Sequence, residues 1–100
     1  MTYKYLLHLL NTVDATPFQK SVWLKTYEIP RGTVVSYKTL AKAMGHPKAF
    51  RAVANALAKN PFPVLIPCHR VVATNGIGGY SGKGGVRQKR KLLKQEGYPI

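Results

Sequence analysis

Apolar residues recur at helical spacing in several stretches of this chain, with turn-forming residues between them. In "TPFQKSVWLKTYEIP" an apolar stripe of Phe18, Val22, Trp23 and Tyr27 predicts an amphipathic helix. Its start is marked by Thr16 as N-cap, Pro17 at the first helical position and Gln19 closing a capping box, and Pro30 stops it. "RGTVVS" then reads as a turn and a brief extended piece. Ser36 caps "YKTLAKAMG", a short helix closed by Gly45, and after the turn "GHPK" the run "AFRAVANALAKN" forms a second helix, ended by Asn60 before Pro61. Two short helices joined by a tight turn containing glycine predict a helix-turn-helix.

The second of these helices has two faces. Val53 and Leu57, with Ala56 beside them, make a core stripe, while Arg51, Asn55 and Ala58 lie on another face at spacings of four and three. Ala52, Ala54 and Ala58 add only methyl groups there. One reading is that alanine is the best helix former. The other is that a thin helix enters a groove with one long cation, Arg51, projecting from it, and spacing does not separate the two.

Further on, Asn75-Gly76 follows the apolar "RVVA" and predicts a hairpin or wing. The glycines of "GIGGYSGKGG" match neither a dinucleotide fingerprint nor a Walker loop, and Tyr80 is out of place in so flexible a composition. "VRQKRKLLKQEG" predicts a basic amphipathic helix ending at Gly97. The expected class is therefore mainly α with a small β element, a winged-helix-like domain built on a helix-turn-helix. Residues 1–15 are expected to be a short N-terminal arm and residues 16–100 a single domain.

Charge changes this picture most. Sixteen Lys and Arg against three Asp and Glu leave a formal charge of +13 on 100 residues. Such an excess opposes compaction and points to a polyanionic partner. Nucleic acid suits it better than a membrane, because there is no long apolar span and no signal peptide. One cysteine excludes an internal disulfide and fits a reducing compartment. His8, His46, His69 and Cys68 show no metal-ligand spacing, so no metal is expected.

The lone thiol, Cys68, sits in "NPFPVLIPCHRVV" beside His69, on a segment stiffened by prolines. Most lone cysteines are inert and buried. As a nucleophile it would need a base within one hydrogen bond or one water, and with His69 adjacent in sequence a bridging water is the easier geometry. Glu96 stands near the C-terminal end of the last helix, where the dipole disfavours a carboxylate. His69 would relieve that cost and be held in its useful tautomer; a neighbouring lysine would do so as well.

"IPCHRVV", preceded by "NPFPVL", followed by "GGYSG" and ended by "LLKQEG", closely resembles the C-terminal domain of the O6-alkylguanine-DNA alkyltransferases. "TPFQKSVW", "IPRGTVVSYKTLA" and "GHPKAFRAVANALAKNP" extend the resemblance over roughly residues 16 to 98. It implies direct reversal of DNA damage: a helix-turn-helix used in the minor groove, a flipped O6-alkylguanine, and irreversible transfer of the alkyl group to cysteine without a cofactor. By that match Cys68 is the alkyl acceptor, His69 the base through a water, and Glu96 the group that orients it. Asn60 braces the turn and Tyr37 donates to the departing guanine. Arg51 is the finger that fills the gap in the stack, with Tyr37, Ala52 and Asn55 also toward the DNA. Leu57, where a methionine is common in the family, lines the guanine pocket with Val71, Tyr80 and Ser81, and the Val71 and Cys68 carbonyls read the exocyclic amine. Lys38, Lys42, Lys48, Lys59 and the C-terminal Lys/Arg run are left as phosphate contacts or solvated surface.

The resemblance further implies a monomer acting on double-stranded DNA, in a cytoplasm with a nucleoid or in a nucleus. Most members carry another N-terminal domain, and here residues 1–15 stand in its place. A related class, the alkyltransferase-like proteins, is single-domain but has lost the cysteine and only flags lesions; "PCHR" matches the active enzymes instead. A plain helix-turn-helix binder and a cysteine hydrolase are more distant alternatives.

Overall fold

Thr16 does what its position asks: Gln19 N donates to its Oγ1 at 3.1 Å and Thr16 N donates to Gln19 Oε1 at 3.0 Å, so a complete capping box opens α2 (Pro17–Tyr27). The computed structural model describes residues 3–74, 76–80 and 84–99. Ser36 opens α3 (Tyr37–Ala43) in the same manner, its Oγ accepting from Thr39 N at 3.0 Å. Gly45, at φ +80°, turns the chain out of α3, and His46 N closes the end on Ala41 O at 3.0 Å. The chain then enters α4 (Phe50–Ala58), which packs on both α3 and α2. Trp23 links α2 to α4 inside the core, its Nε1 donating to Ala56 O at 2.8 Å, so the indole is buried without stranding its donor.

The core is one cluster in which Val22, Trp23, Leu40, Val53, Leu57, Ile66 and Val71 meet. Leu6 and Leu10 join it from α1 (Tyr3–Leu10), so the arm over residues 1–15 carries a helix that is part of the core.

The β element differs from the expected hairpin. Val35–Ser36 (β1) pairs in parallel with Val71–Val72 (β2), with Val35 opposite Val71 and Ser36 opposite Val72. A parallel pair needs a long crossover, and α3 and α4 supply it. Near the expected wing the described residues show a single antiparallel bridge, Ala73 with Gly76; Asn75 lies outside them. Last comes α5 (Gly85–Gln95), closed by Gly97 at φ +85° with Tyr98 N on Leu93 O at 3.0 Å. Among the described residues no helix is long and apolar enough to cross a membrane.

Candidate active site

The segment between α4 and β2 is bent twice, and Asn60 holds the first bend. Its Oδ1 accepts from Phe62 N and its Nδ2 donates to Ile66 O, each at 2.9 Å. Between those anchors Val64 has φ +74°, a conformation that a β-branched residue adopts only where its surroundings impose it. The second bend is at Pro67, whose φ −78° and ψ +64° with Cys68 N on Ile66 O at 2.7 Å make an inverse γ-turn. Cys68–Arg70 then form one 3-10 turn. These bends bury Cys68 and His69 side by side, with 5% and 1% of their surfaces exposed.

His69 Nε2 lies 2.9 Å from Glu96 Oε2. Arg70 grips the same carboxylate: Nε donates to Oε1 at 2.9 Å and Nη2 to Oε2 at 2.7 Å, while Nη1 holds Ile29 O at 2.7 Å. Glu96 is the C-cap residue of α5, so two cationic or proton-donating partners offset the dipole that disfavours it there. Burial pushes its carboxyl up, but the hydrogen bonds and charges of Arg70 and His69 outweigh this and bring it down to about 2. An ionised carboxylate only accepts, so Nε2 carries the imidazole proton and Nδ1 is the basic nitrogen. Nδ1 is buried with no hydrogen-bond partner among the described residues. Burial lowers the His69 pKa; Glu96 opposes this, and the Arg70 and Lys89 charges add to it. The imidazole is therefore neutral at neutral pH and able to accept a proton.

Cys68 lines a cleft of about 310 Å³, at the lower end of the range of ligand sites. Ala54, Asn55, Leu57 and Ala58 of α4 contribute to its lining, as do Tyr37, Gly79 and Tyr80. A larger cleft of about 510 Å³, beside α2 at Phe18, Leu24 and Met44, contains neither the cysteine nor His69. Burial raises the pKa of Tyr37, against a hydrogen bond from the Gly79 backbone, and raises that of Tyr80 too, so both phenols keep their protons. Gly78, at φ +75°, has to be glycine: a Cβ there would stand 2.7 Å from the Tyr37 hydroxyl.

Of the residues singled out in the sequence, Cys68, Tyr37, Asn55, Leu57 and Tyr80 share the cleft, and His69 and Glu96 pair behind the thiol. Arg51 and Ala52 are exposed on α4 and do not line it. Val71 is buried in β2, and Ser81 lies outside the described residues. Two residues escaped sequence reasoning. Arg70 has no mark of its own within "PCHR". Lys89 belongs in sequence to a run of surface-like cations, yet it is fully buried, its Nζ donating to Val71 O at 2.7 Å and Gly79 O at 2.8 Å. A signal was present: Lys89, Leu93 and Glu96 follow one another at i, i+4 and i+7, on one stripe of α5.

The family model described as "6-O-methylguanine DNA methyltransferase, DNA binding domain" matches residues 17–98. A probable methylated-DNA–protein-cysteine methyltransferase of Acanthamoeba polyphaga mimivirus is 46% identical over 92 residues, covering 92% of this chain and 60% of that protein. The methylated-DNA–protein-cysteine methyltransferase of Saccharolobus islandicus strain L.S.2.15 is 51% identical over 84 residues, covering 84% of this chain and 53% of that protein. The chain thus spans little more than half the length of these curated relatives. Among solved structures, Mycobacterium tuberculosis OGT in complex with DNA superposes with a TM-score of 0.77 at 42% identity, over 82% of this chain and 50% of that one.

Proposed function

The chain belongs to the 6-O-methylguanine DNA methyltransferase family, and on that footing we propose that it repairs double-stranded DNA by moving the O6-alkyl group of a damaged guanine onto its own Cys68. In this reading residues 16–100 are the family's C-terminal catalytic domain as well as its DNA-binding one. The protein acts as a monomer, without a cofactor, in a compartment reducing enough to keep Cys68 a thiol.

Helix α4 enters the minor groove with its exposed face, on which Ala52 and Ala58 let the backbone come close. The groove's nearly silent base code suits a protein that must find damage in any sequence. A damaged base pairs poorly and is the least costly to rotate out, and Arg51 fills the space it leaves. The purine enters the cleft beside Leu57 and Tyr80, with the Val71 and Cys68 carbonyls receiving its amine.

His69 Nδ1 takes the Cys68 proton through a water. Glu96 steadies the resulting imidazolium and does not take its proton, because its own carboxyl is held down at about 2. The sulfur attacks the alkyl carbon, an S–C bond forms, and the C–O6 bond breaks with its electron pair leaving on guanine. Tyr37 donates to the departing base, and the proton on His69 replaces it through solvent. The net change is thiol and O6-alkylguanine to thioether and guanine. Nothing regenerates the thiol, so each molecule acts once.

One observation carries this reading: Cys68 lines a ligand-sized cleft while the adjacent His69 is tied to Glu96 at 2.9 Å. Incubation with a duplex containing O6-methylguanine should add one methyl group to the Cys68 peptide, once per molecule, as seen by mass spectrometry. An unmodified peptide together with lesion-preferring binding would make the protein a damage binder. Binding indifferent to the lesion would leave only a helix-turn-helix.

A further inference from the structure

The turn that follows α2 lies against the far end of α5. Thr33 N donates to Pro30 O at 3.2 Å, and Gly32, at φ +83°, is the third residue of that turn. A Cβ on Gly32 would stand 3.2 Å from Glu96 O, so the turn presses closely on the C-cap residue of α5. Two arginines hold the pair together. Arg70 Nη1 donates to Ile29 O at 2.7 Å while its other nitrogens grip the Glu96 carboxylate. Arg31 reaches over the outside, its Nη2 donating to Gln95 O at 3.0 Å.

This last bond completes the end of the helix. The last four carbonyls of an α-helix need partners from beyond it. In α5 those of Leu92, Leu93 and Lys94 accept from the N–H groups of Glu96, Gly97 and Tyr98. The carbonyl of Gln95 accepts from Arg31. A cation there also meets the negative end of the helix dipole, where the Glu96 carboxylate adds to the negative charge.

We propose that Arg31 is a positioning residue that seats the last turn of α5 against Gly32, so that the Glu96 carboxylate meets His69 Nε2. It acts on the imidazole through Glu96. The proposal rests on the repair reading for its effect on alkyl transfer, whereas the seat itself stands on geometry. Glu96 Oε2 serves His69 at 2.9 Å and Arg70 at 2.7 Å at once, so its place is narrowly set. The long Arg70 side chain can follow a small shift of the helix end. The buried imidazole, on its short stem, cannot.

Burial lowers the His69 pKa; of the charges facing the ring, Glu96 of α5 opposes this, while Arg70 of its own 3-10 turn and Lys89 of α5 add to it. Loss of contact with Glu96 therefore lowers the imidazole pKa further, whereas loss of a facing cation raises it. The two directions separate a displaced carboxylate from a missing charge.

NMR titration of His69 in Arg31→Met tests this, together with the single-turnover rate of alkyl transfer to Cys68. The imidazole pKa should drop. Transfer should slow by about threefold to tenfold, a modest loss because Arg31 is exposed and its bond is screened. Arg31→Lys, which returns a cation able to donate to Gln95 O, should recover part of both. In a Glu96→Gln background, Arg31→Met should slow transfer no further, because its route to His69 is already cut. An unmoved or raised His69 pKa in Arg31→Met overturns the proposal. So does a lowered pKa with transfer at its original rate, or a further loss on top of Glu96→Gln. If Cys68 takes no alkyl group while the His69 titration still follows Arg31, the seat is supported and the repair reading falls.

Discussion

On the thiol side of the cleft Asn60, His69, Arg70 and Glu96 hold one another and the backbone through bonds of 2.7 to 2.9 Å. On the α4 side the exposed positions carry methyl groups, one amide and one long cation, Arg51. The first region spends a strained Val64 and a buried carboxylate to fix a few atoms. The second keeps its surface plain, which in the proposed repair reading lets a duplex of any sequence approach. Chemistry asks for atoms that do not move, whereas searching asks for a face that does not discriminate.

The sharpest way to break this comparison is to remove the base. His69→Ala should reduce alkyl transfer by about 10²- to 10⁴-fold, the usual worth of a positioned general base, and equally for duplex and for free base. A loss confined to duplex would move His69 to the DNA-contacting side. Next in size, Arg51→Ala should slow duplex repair by about 10- to 100-fold, since it forfeits part of the few kcal/mol of unstacking cost. Single-turnover rates with free O6-alkylguanine should stay unchanged, and equal losses on both would argue against the finger role.

Arg70→Met tests the interior more finely. Glu96 would then pair with His69 alone, so the imidazole pKa should rise and the acidic limb of the transfer rate move to higher pH. NMR titration of His69 reads this directly, and an unmoved pKa would remove Arg70 from the machinery.

The smallest effect is on stability. His69 is held below 6.5 and Glu96 below 4.5, so the unfolded chain binds more protons than the folded one as pH falls. Stability from His69 should be lost from about 6.5 downward, and that from Glu96 between about 4.5 and about 2. In Glu96→Gln thermal melts, the lower window should disappear.

Local chemistry was legible in the sequence wherever neighbours decide the outcome. Thr16 and Ser36 cap as their side chains require, Gly45 and Gly97 end their helices in the left-handed region, and the core stripe of α4 is the one its spacing implied. The pairing of Glu96 with His69 was one of two partners that helix-end electrostatics allowed. What could not be read depends on segments distant along the chain. Val35 meets Val71 across two helices, which no turn signal announces, and a hairpin was expected instead. Lys89 looks like its neighbours Arg87, Arg90 and Lys91, and only the approach of Val71 and Gly79 makes it an interior group. Arg70 was hidden inside a motif whose interest lay in the two residues before it.

The parallel ladder between β1 and β2 is two residues long, too short to persist without what surrounds it. It nonetheless lies immediately before Tyr37 in one strand and soon after Cys68 in the other. In the proposed repair reading, the half that faces the groove and the half that carries the thiol should then order as a single cooperative event, and cutting the loop that joins them should abolish both. On that reading, any molecule folded well enough to grip a duplex would already have its sulfur in place.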